Sequence, residues 1–296
     1  MKKYLSQILP AVVCSVVAAD GTKINDSQEI KNIPVTNLVF DSREVSKDSL
    51  FFALPGTHTD GNHFIASAIL AGANAVVFQG ELTDEQKEEI GKAIIKRTLE
   101  NGLSDDIEKF APTLIKVDDA RFAMAPISSA FYDNPSERLI VIGVTGTEGK
   151  SSTVSFIWQL LRLSGFKAGF ISTVQYSLGG EAVSNPEHQT TPEAPIVQRE
   201  LYEMLQNGCT HAVVESSSHG LSAKTNRLGD VHFDCAVFMN VTLEHLEFHK
   251  TLEQYKSDKA NLFRSLDKWQ HTKEITNLKK KDNTIEVPSF GIVNLE

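Results

Sequence analysis

The second half of the chain alternates short apolar runs with longer stretches that are apolar on one side only. Each apolar run has the length of a buried strand, and the runs cover residues 139–145, 168–172, 211–215 and 233–239. Residues 151–163 form an amphipathic helical pattern around Trp158, and a second helix is expected from Thr191-Pro192 to Gly208. This alternation predicts an α/β domain with a doubly wound, mostly parallel sheet and helices on both faces.

The first half of the chain predicts a separate, mixed α/β domain. Strands are expected at residues 37–40, 49–54, 75–78 and 113–117, and helices at 65–70 and 120–131. Pro, Ser and charged residues cluster at 133–138, which predicts an N-terminal domain of residues 1–135 and a central domain of residues 138–296. Residues 81–109 are polar with a helical pattern, which predicts a surface excursion, and residues 267–288 are expected to be a polar connector.

The composition is that of a soluble globular protein and limits the partners to be expected. Of 296 residues, 41% are hydrophobic and 23% are charged, and the formal net charge is −9 at pH 7. This acidic balance argues against a general nucleic-acid surface, so an anionic ligand must be held by a few local cations and backbone N–H groups. No apolar run is long enough to span a membrane, so neither nucleic acid nor membrane is an expected partner.

Cysteine usage and the N-terminus bear on the cell compartment. The three cysteines are Cys14, Cys209 and Cys235. Their odd number and wide spacing favour a reducing cytoplasm over a disulfide framework or a zinc site. Lys2-Lys3 and the apolar stretch after them resemble a signal peptide. Because polar residues and Pro10 interrupt that stretch, a short helix leading into a strand is the preferred interpretation.

The most informative motif joins the first strand of the central domain to its first helix and reads Gly146-Thr-Glu-Gly-Lys-Ser-Ser152. A helix N-terminus offers unpaired N–H groups and a positive dipole end, which attract phosphate. Glycines let the backbone close around phosphates, Lys150 can reach the terminal ones, and the Ser151 hydroxyl can hold Mg²⁺. Five residues, rather than the standard four, separate Gly143 from Gly149, and a plain Gly-rich connection is the alternative. The motif predicts binding of a nucleoside triphosphate.

Two further segments place polar side chains just beyond predicted strands. Glu215-Ser-Ser-Ser-His-Gly220 follows one strand, and Asn240…His245…His249 follows the next. Ligands of open α/β sheets bind beyond the carboxyl ends of the strands. Glu215 is therefore a candidate Mg²⁺ ligand, and the histidines are candidates for positions near a metal. Solvated loop residues are the alternative for both segments.

A lysine stands at a core position of the helix that begins with the capping box Thr251…Gln254. The buried stripe of this helix consists of Leu252, Tyr255, Leu262 and Leu266. Lys259 falls on the same stripe, where burial lowers the pKa of an unpaired lysine. An uncharged amine can react with CO₂ to give a carbamate, which turns a cation into a metal-binding anion. A lysine that reaches past the helix edge to solvent is the alternative.

Together these segments resemble the Mur ligase family, the ATP-dependent enzymes that build the peptide of bacterial cell-wall precursors. The phosphate loop, the Glu215 segment, the Asn240 segment and Lys259 occur in the family's order. Three N-terminal stretches resemble the ligases that add the third peptide residue, namely Asp41-Ser-Arg43, Leu50-Phe-Phe-Ala-Leu-Pro-Gly56 and Asp60-Gly61. The resemblance covers essentially the whole chain and rests on motifs from both expected domains.

The resemblance implies a set of site residues. The catalytic residues would be Lys150, Glu215, His245 and Lys259. Nucleotide contacts would come from Gly146, Thr147, Glu148, Gly149, Lys150, Ser151, Ser152 and Asn240. One Mg²⁺ would lie on Ser151 and Glu215, and a second on His245 and carbamylated Lys259. The uridine diphosphate end of the substrate would meet Phe40, Ser42, Thr57, His58 and Thr59, and its peptide end Gln189, Thr190, Thr191, Ser217 and Arg227.

The implied chemistry is the activation of a carboxylate. The γ-phosphoryl group of ATP moves to the D-glutamate side chain of UDP-N-acetylmuramoyl-L-Ala-D-Glu, and the amine of a diamino acid displaces phosphate from the acyl phosphate. Lys150 and Mg²⁺ would neutralise the two anions that must meet. A cytoplasmic monomer is expected. The alternatives are a binding module that holds the UDP-sugar peptide without ligation, and a family member with another acceptor, such as D-alanyl-D-alanine.

Three departures from the family pattern bear on activity. Glu148 replaces the usual Asn, and a carboxylate about 6 Å from a phosphate charge costs roughly 3 kcal/mol, so this side chain is expected to point away or lie against metal. Leu243-Glu244-His245 replaces Arg-Asp-His and keeps only the histidine. The family's C-terminal domain, which binds the incoming amino acid, is not among these 296 residues, so we expect no ligation by this chain alone.

Overall fold

The computed structural model of the protein describes residues 1–12, 14–20, 23, 33–56, 60–100, 111–186, 189–275 and 284–295. The chain divides into two compact units, Met1–Phe131 and Tyr132–Glu296. We call them the N-terminal unit and the central unit. The expected substrate contacts Thr57, His58 and Thr59 lie outside the described residues.

The N-terminal unit contains short strands and four α-helices among its described residues. The strands are β1 Lys3–Tyr4, β2 Ser15–Val17, β3 Pro34–Val35, β4 Asn37–Val39, β5 Ser49–Phe52, β6 Ala73–Gln79 and β7 Thr113–Val117. The helices are α1 Leu5–Ile8, α2 Ile65–Ala71, α3 Asp84–Glu100 and α4 Ala120–Phe131. The short helix α1 precedes strand β2, as predicted.

A five-stranded sheet of order β2-β7-β6-β5-β4 forms the centre of this unit. Strands β4 to β7 pair in parallel, and β2 pairs antiparallel with β7. Its buried apolar side chains include Phe51, Val76 and Phe78 from the sheet and Ile69 from α2. Gly72 ends α2 with φ at +119°, where a Cβ would lie 2.9 Å from the Lys47 backbone. Only glycine fits this left-handed turn without strain.

The central unit alternates strands and helices. Its strands are β8 Ile140–Thr145, β9 Ala168–Ile171, β10 Gln175–Ser177, β11 Val183–Ser184, β12 His211–Glu215, β13 Cys235–Phe238, β14 Thr272–Glu274, β15 Thr284–Glu286 and β16 Phe290–Val293. Its helices are α5 Lys150–Leu163, α6 Ala194–Gln206, α7 Ser218–Leu221, α8 Leu246–His249 and α9 Leu252–Ser265.

A seven-stranded sheet of order β11-β10-β9-β12-β8-β13-β16 carries these helices on both faces. Strands β8, β9, β12, β13 and β16 run parallel, and at one edge β10 pairs antiparallel with both β9 and β11. One face packs Val154 and Trp158 of α5 against the sheet, and the other packs Leu201 of α6 and Leu262 of α9. The structure therefore confirms the predicted α/β class with a mostly parallel sheet.

The register of this sheet brings the ends of three strands to one level. Glu215 of β12 pairs with Val144 of β8, and Phe238 of β13 pairs with Thr145. The segments that follow these strands must therefore leave the sheet at the same edge. This is the edge at which parallel sheets hold ligands.

Two sequence-based expectations about elements of the central unit were wrong. Helix α6 begins at Ala194 rather than at Thr191-Pro192, with Glu193 as its N-cap residue and Pro195 in its first turn. The Thr191 hydroxyl instead donates a hydrogen bond to Glu215 O at 3.0 Å, so it does not cap the helix. The expected connector 267–288 contains the paired strands β14 and β15, and β16 then extends the main sheet. None of the helices in the described parts of the chain is long and apolar enough to cross a bilayer.

A buried charge cluster fastens strand β8 to the segment after α9. The carboxylate of Asp234, 1% exposed, accepts from Val141 N at 2.9 Å and lies 3.0 Å from both Lys273 Nζ and His271 Nδ1. Lys273 is also 1% exposed and donates to Ser136 O at 2.8 Å. Burial lowers the pKa of Lys273, while Asp234 opposes that shift. The ammonium group thus depends on Asp234 to remain charged in the core.

Substitution of Lys273 by methionine is expected to lower the free energy of unfolding by about 3 kcal/mol, because it removes a charged partner of a buried carboxylate. Urea unfolding measures this change. Lys92→Met is the matched control, since Lys92 pairs with Glu88 at 2.6 Å on an exposed helix face and should contribute little. Adding Asp234→Asn to Lys273→Met should restore part of the lost stability. Equal unfolding midpoints for the Lys273 and Lys92 variants would contradict the expectation.

Candidate active site

The predicted phosphate loop runs from the end of β8 into α5. Gly149 is the N-cap residue of α5 with φ at +78°, and Lys150 Nζ donates to Thr147 O at 2.8 Å. A Cβ on Gly146 would lie 2.8 Å from Met239 Cβ, so the loop passes too close to its neighbour for a larger residue. The first-turn N–H groups of α5 have no intrahelical acceptors, and the helix dipole makes this end positive. The loop is therefore built to receive an anion.

Asn240, just after β13, holds the loop in place. Thr147 N donates to both the backbone oxygen and Oδ1 of Asn240 at 3.0 Å, and Glu148 N donates to the same Oδ1 at 2.9 Å. Asn240 Nδ2 in turn donates to Glu148 O at 3.2 Å. The Glu148 residue itself is exposed. Asn240 thus contacts the backbone of the loop, and the Glu148 carboxylate is not enclosed by it.

Glu215 is 1% exposed and lies beside the loop. Its Oε2 accepts from Ser151 Oγ at 2.9 Å and from Thr173 N at 2.9 Å, and its Oε1 accepts from Thr173 Oγ1 at 3.0 Å. The interpretation of Glu215 as a solvated loop acid is therefore wrong. Two hard oxygen donors, Ser151 Oγ and a Glu215 carboxylate oxygen, converge here, a donor set that suits Mg²⁺.

Thr173 was missed by the sequence analysis. It lies just after β9, whose carboxyl end meets the same edge of the sheet. The rule that ligands lie beyond the carboxyl ends of parallel strands could have pointed to it. Nothing in its spacing shows that it contacts Glu215.

Lys259 is 1% exposed, so the interpretation of a lysine that reaches past the helix edge to solvent is wrong. Its Nζ donates to Gly146 O at 2.6 Å and lies 4.6 Å from the centre of the Tyr255 ring. Burial, with a smaller contribution from the Lys150 charge, lowers the pKa of Lys259 to about 7. A substantial fraction of this amine is therefore uncharged at neutral pH. Tyr255 also reaches the loop, with its hydroxyl 3.1 Å from Thr147 Oγ1.

The two histidines after β13 occupy different environments. His245 is exposed, with its Nδ1 3.4 Å from Glu247 Oε1 and its ring against His219 at 4.9 Å. His249 is buried, with Nδ1 2.7 Å from Asp258 Oδ2 and Nε2 3.0 Å from Ser218 Oγ. Among the described residues, no group of three or more His, Cys, Asp or Glu side chains is arranged to hold a metal ion.

A cavity of about 340 Å³ brings these residues together. It is lined by Lys150, Gln189, Thr190, Thr191, Ser217, Ser218, His219, Arg227, His245, Tyr255 and Lys259. Eight of them are residues that the sequence analysis assigned to the site, and Ser218, His219 and Tyr255 are additions. Burial is the largest influence on His219 and lowers its pKa to about 4, which keeps this ring neutral.

Arg227 is already paired with the protein. Its Nη2 lies 2.8 Å from Glu193 Oε1, and its Nη1 donates to Thr191 O at 2.9 Å. Its Nε is buried and, within the described part of the chain, has no hydrogen-bond partner. The guanidinium group is thus fixed at the cavity wall by Glu193, and an anionic ligand would share it with that carboxylate.

In the N-terminal unit, Phe40 and Ser42 lie just after β4 and are half-buried. Between them, Asp41 accepts from Arg43 N at 3.0 Å and from Arg43 Nε at 2.9 Å. These bonds to Arg43 lower the pKa of Asp41 to about 2. The Asp41-Ser-Arg43 motif therefore forms a locally ordered turn next to Phe40.

Two family models match the chain. The Mur ligase middle domain matches residues 144–292, and the Mur ligase family catalytic domain matches residues 34–132. A solved UDP-N-acetylmuramoyl-L-alanyl-D-glutamate–2,6-diaminopimelate ligase has a similar fold, with a TM-score of 0.62 at 23% identity over 89% of this chain and 45% of that one.

Curated relatives agree with these matches. A UDP-N-acetylmuramyl-tripeptide synthetase of Treponema denticola is 50% identical over 99% of this chain and 49% of its own length. A UDP-N-acetylmuramoyl-L-alanyl-D-glutamate–2,6-diaminopimelate ligase of Cytophaga hutchinsonii is 37% identical over 79% of this chain and 43% of its own length. The chain thus spans about half the length of the curated relatives it matches. With the middle-domain model covering half of its residues, the chain belongs to the Mur ligase family.

Proposed function

We propose that this chain supplies the UDP-sugar-peptide-binding and ATP-binding parts of a ligase that adds a diamino acid to UDP-N-acetylmuramoyl-L-Ala-D-Glu. The observation that carries the proposal is the cavity of the central unit. Lys150 of the phosphate loop and the substrate candidates Ser217 and Arg227 line the same space. A phosphoryl donor and a carboxylate acceptor held there would meet in one cavity, and the chemistry requires that they be brought together.

For ATP, we assign the phosphates to the loop 146–152. The first-turn N–H groups of α5 would donate to phosphate oxygens, and Lys150 Nζ would exchange its bond to Thr147 O for a terminal phosphate. Bringing the γ-phosphate to a carboxylate joins two anions, and Lys150 lowers that repulsion. The exposed Glu148 side chain leaves the loop free for this role.

For Mg²⁺, we assign Ser151 and Glu215 as ligands of one ion, and His245 with carbamylated Lys259 as ligands of a second. Mg²⁺ would supply charge neutralisation on the phosphates. The pKa of Lys259, about 7, supports carbamylation because CO₂ reacts with the uncharged amine. A carbamate nitrogen keeps one hydrogen, so the bond from Lys259 to Gly146 O, 2.6 Å long here, can persist after the reaction.

For the nucleotide-sugar substrate, we assign the N-terminal unit, with Phe40, Ser42 and residues 57–59, to the uridine diphosphate end. The peptide end would lie against Gln189, Thr190 and the neighbouring cavity residues. We further propose a cytoplasmic monomer that binds neither nucleic acid nor membrane. The free thiols of Cys14, Cys209 and Cys235 support a reducing compartment.

A hydroxylamine trap tests this function. ATP, Mg²⁺ and UDP-N-acetylmuramoyl-L-Ala-D-Glu are mixed with the protein and hydroxylamine, which converts an acyl phosphate into a stable hydroxamate without a specific amine site. We expect a hydroxamate and stoichiometric ADP, both lost in Lys150→Met and retained in Lys167→Met, a change at an exposed lysine just before β9. Binding of both ligands without ADP release would identify the alternative, a binding module that does not turn over.

A further inference from the structure

Two adjacent serines, Ser217 and Ser218, line the cavity at the start of α7. A hydroxyl group can donate one hydrogen bond and accept two, so its role toward a ligand depends on where its single proton goes. In both serines the neighbouring groups fix that proton. They do so through two chains of hydrogen bonds that share no residue.

The first chain fixes the proton of Ser217. Thr191 Oγ1 lies 3.0 Å from Glu215 O, a carbonyl that can only accept, so Thr191 donates its proton there. The same oxygen accepts from Ser217 N at 3.0 Å and lies 2.9 Å from Ser217 Oγ. Because the Thr191 proton is already used, Ser217 is the donor in that contact. Ser217 Oγ also accepts from Gly220 N at 3.1 Å, which leaves it one lone pair.

The second chain fixes the proton of Ser218. Asp258 is 2% exposed, with Oδ1 accepting from Gln254 Nε2 at 3.0 Å and Oδ2 lying 2.7 Å from His249 Nδ1. The carboxylate accepts, so Nδ1 carries the hydrogen and Nε2 of the neutral ring is an acceptor. Burial is the largest influence on the ring and lowers the pKa of His249, which favours the neutral form. Ser218 Oγ, 3.0 Å from Nε2, therefore donates to it.

We propose that Ser217 and Ser218 form an acceptor pair that recognises an N–H donor of the ligand, and that Asp258 is the positioning residue that sets the polarity of Ser218. The cations on the same cavity wall, Lys150 and Arg227, can only donate. A ligand that carries both anionic groups and peptide or amino N–H groups can therefore pair with the donating cations and with the accepting serines. The identity of that ligand rests on the proposed function, whereas the direction of the hydrogen bonds does not.

Counting donors and acceptors in the same way changes the expected role of Thr191. Its hydroxyl donates once, to Glu215 O, and accepts twice, from the backbone N–H and the side chain of Ser217. No capacity is left for a ligand. We therefore assign the Thr191 hydroxyl to holding Ser217 rather than to touching the substrate.

The direction of the second chain is tested on the protein without any ligand. Long-range ¹H–¹⁵N correlation spectra should show His249 with its hydrogen on Nδ1. In Asp258→Asn, the amide oxygen should face Gln254 and the amide nitrogen His249, which drives the ring to the Nε2–H form. Glu253→Gln, at an exposed position of the same helix, is the control and should leave the ring unchanged. An Nε2–H or doubly protonated His249 in the unsubstituted protein at neutral pH would overturn the assignment.

Recognition is tested by calorimetry with UDP-N-acetylmuramoyl-L-Ala-D-Glu and an analogue in which an ester oxygen replaces the Ala–D-Glu N–H. We expect the amide to bind at least about tenfold more tightly, roughly 1.4 kcal/mol. In the ester, an oxygen that can only accept would face serine oxygens whose protons are already used. Ser218→Ala and Asp258→Asn should both lose this preference.

Equal binding of the amide and the ester by the unsubstituted protein would overturn the recognition role. No binding of either nucleotide-peptide by the unsubstituted protein, with His249 in the Nδ1–H form, would instead count against the proposed function. The two failures are therefore distinguishable.

Discussion

Replacing Lys259 by methionine is expected to change the free energy of unfolding in a strongly pH-dependent way. Burial holds the pKa of Lys259 at about 7, against 10.5 for an ordinary lysine. Between these values the unfolded chain binds more protons than the folded chain, so this lysine destabilises the fold at low pH and ceases to do so as pH rises. The difference in free energy of unfolding between the methionine variant and the unsubstituted protein should therefore fall by about 3 kcal/mol, to the disadvantage of the variant, between about pH 6.5 and about pH 9.5.

Urea unfolding in CO₂-free buffer measures this difference, because a carbamate would hide the amine. The methionine variant also loses the bond to Gly146 O, 2.6 Å long, so the quantity to compare is the change with pH and not the difference at any one pH. Lys92→Met, on an exposed face, should give a difference that does not vary with pH. A flat profile for the Lys259 variant would show that its amine is solvated in the folded protein.

Replacing Lys150 by methionine is expected to weaken binding of a nucleoside triphosphate by about a hundredfold. A unit charge about 4 Å from a phosphate oxygen contributes up to about 4 kcal/mol at the effective dielectric of a protein surface, and part of this is lost to desolvation. AMP should bind both proteins alike, because Lys150 reaches only the terminal phosphates. Calorimetry with a non-hydrolysable ATP analogue and with AMP measures both quantities.

Lys167→Met is the control for the loss of one positive charge. Lys167 precedes β9, at the end of the sheet opposite the phosphate loop, and is exposed. Its removal should leave the triphosphate affinity within about twofold, because exposed charges beyond a Debye length are screened. Equal losses in the two variants would mean that the affinity reflects net charge rather than the loop.

Much of the fold could be predicted from the sequence because parallel strands buried on both faces consist of continuous apolar runs. Strands β8, β12 and β13 follow such runs closely. Helical periodicity also placed Lys259 on the apolar stripe of α9, although it left open a lysine that reaches solvent, and the structure shows this side chain buried. Periodicity shows which face of a helix or strand a residue occupies, so it predicts buried positions wherever one face is apolar.

What the sequence could not provide is pairing between distant polar groups. Ser218 and His249 are 31 residues apart, and Thr173 and Glu215 are 42 apart. No local pattern encodes these contacts, since they depend on how strands are ordered in the sheet. The start of α6 was mispredicted for the same reason: the hydroxyl of Thr191 is engaged by Glu215 O rather than by its own helix.

The contacts of Asn240 with Thr147 and Glu148 have a consequence for how stability and affinity are linked. The shape of the phosphate loop is set while the chain folds, before any nucleotide arrives. Fixing each residue costs about 1–2 kcal/mol in backbone entropy, and here that cost falls on folding instead of on binding. A protein arranged in this way is less stable to unfolding and binds its ligand more tightly than one whose loop orders only on binding. Substitutions that loosen the loop should therefore leave the fold intact and weaken the binding of the ligand.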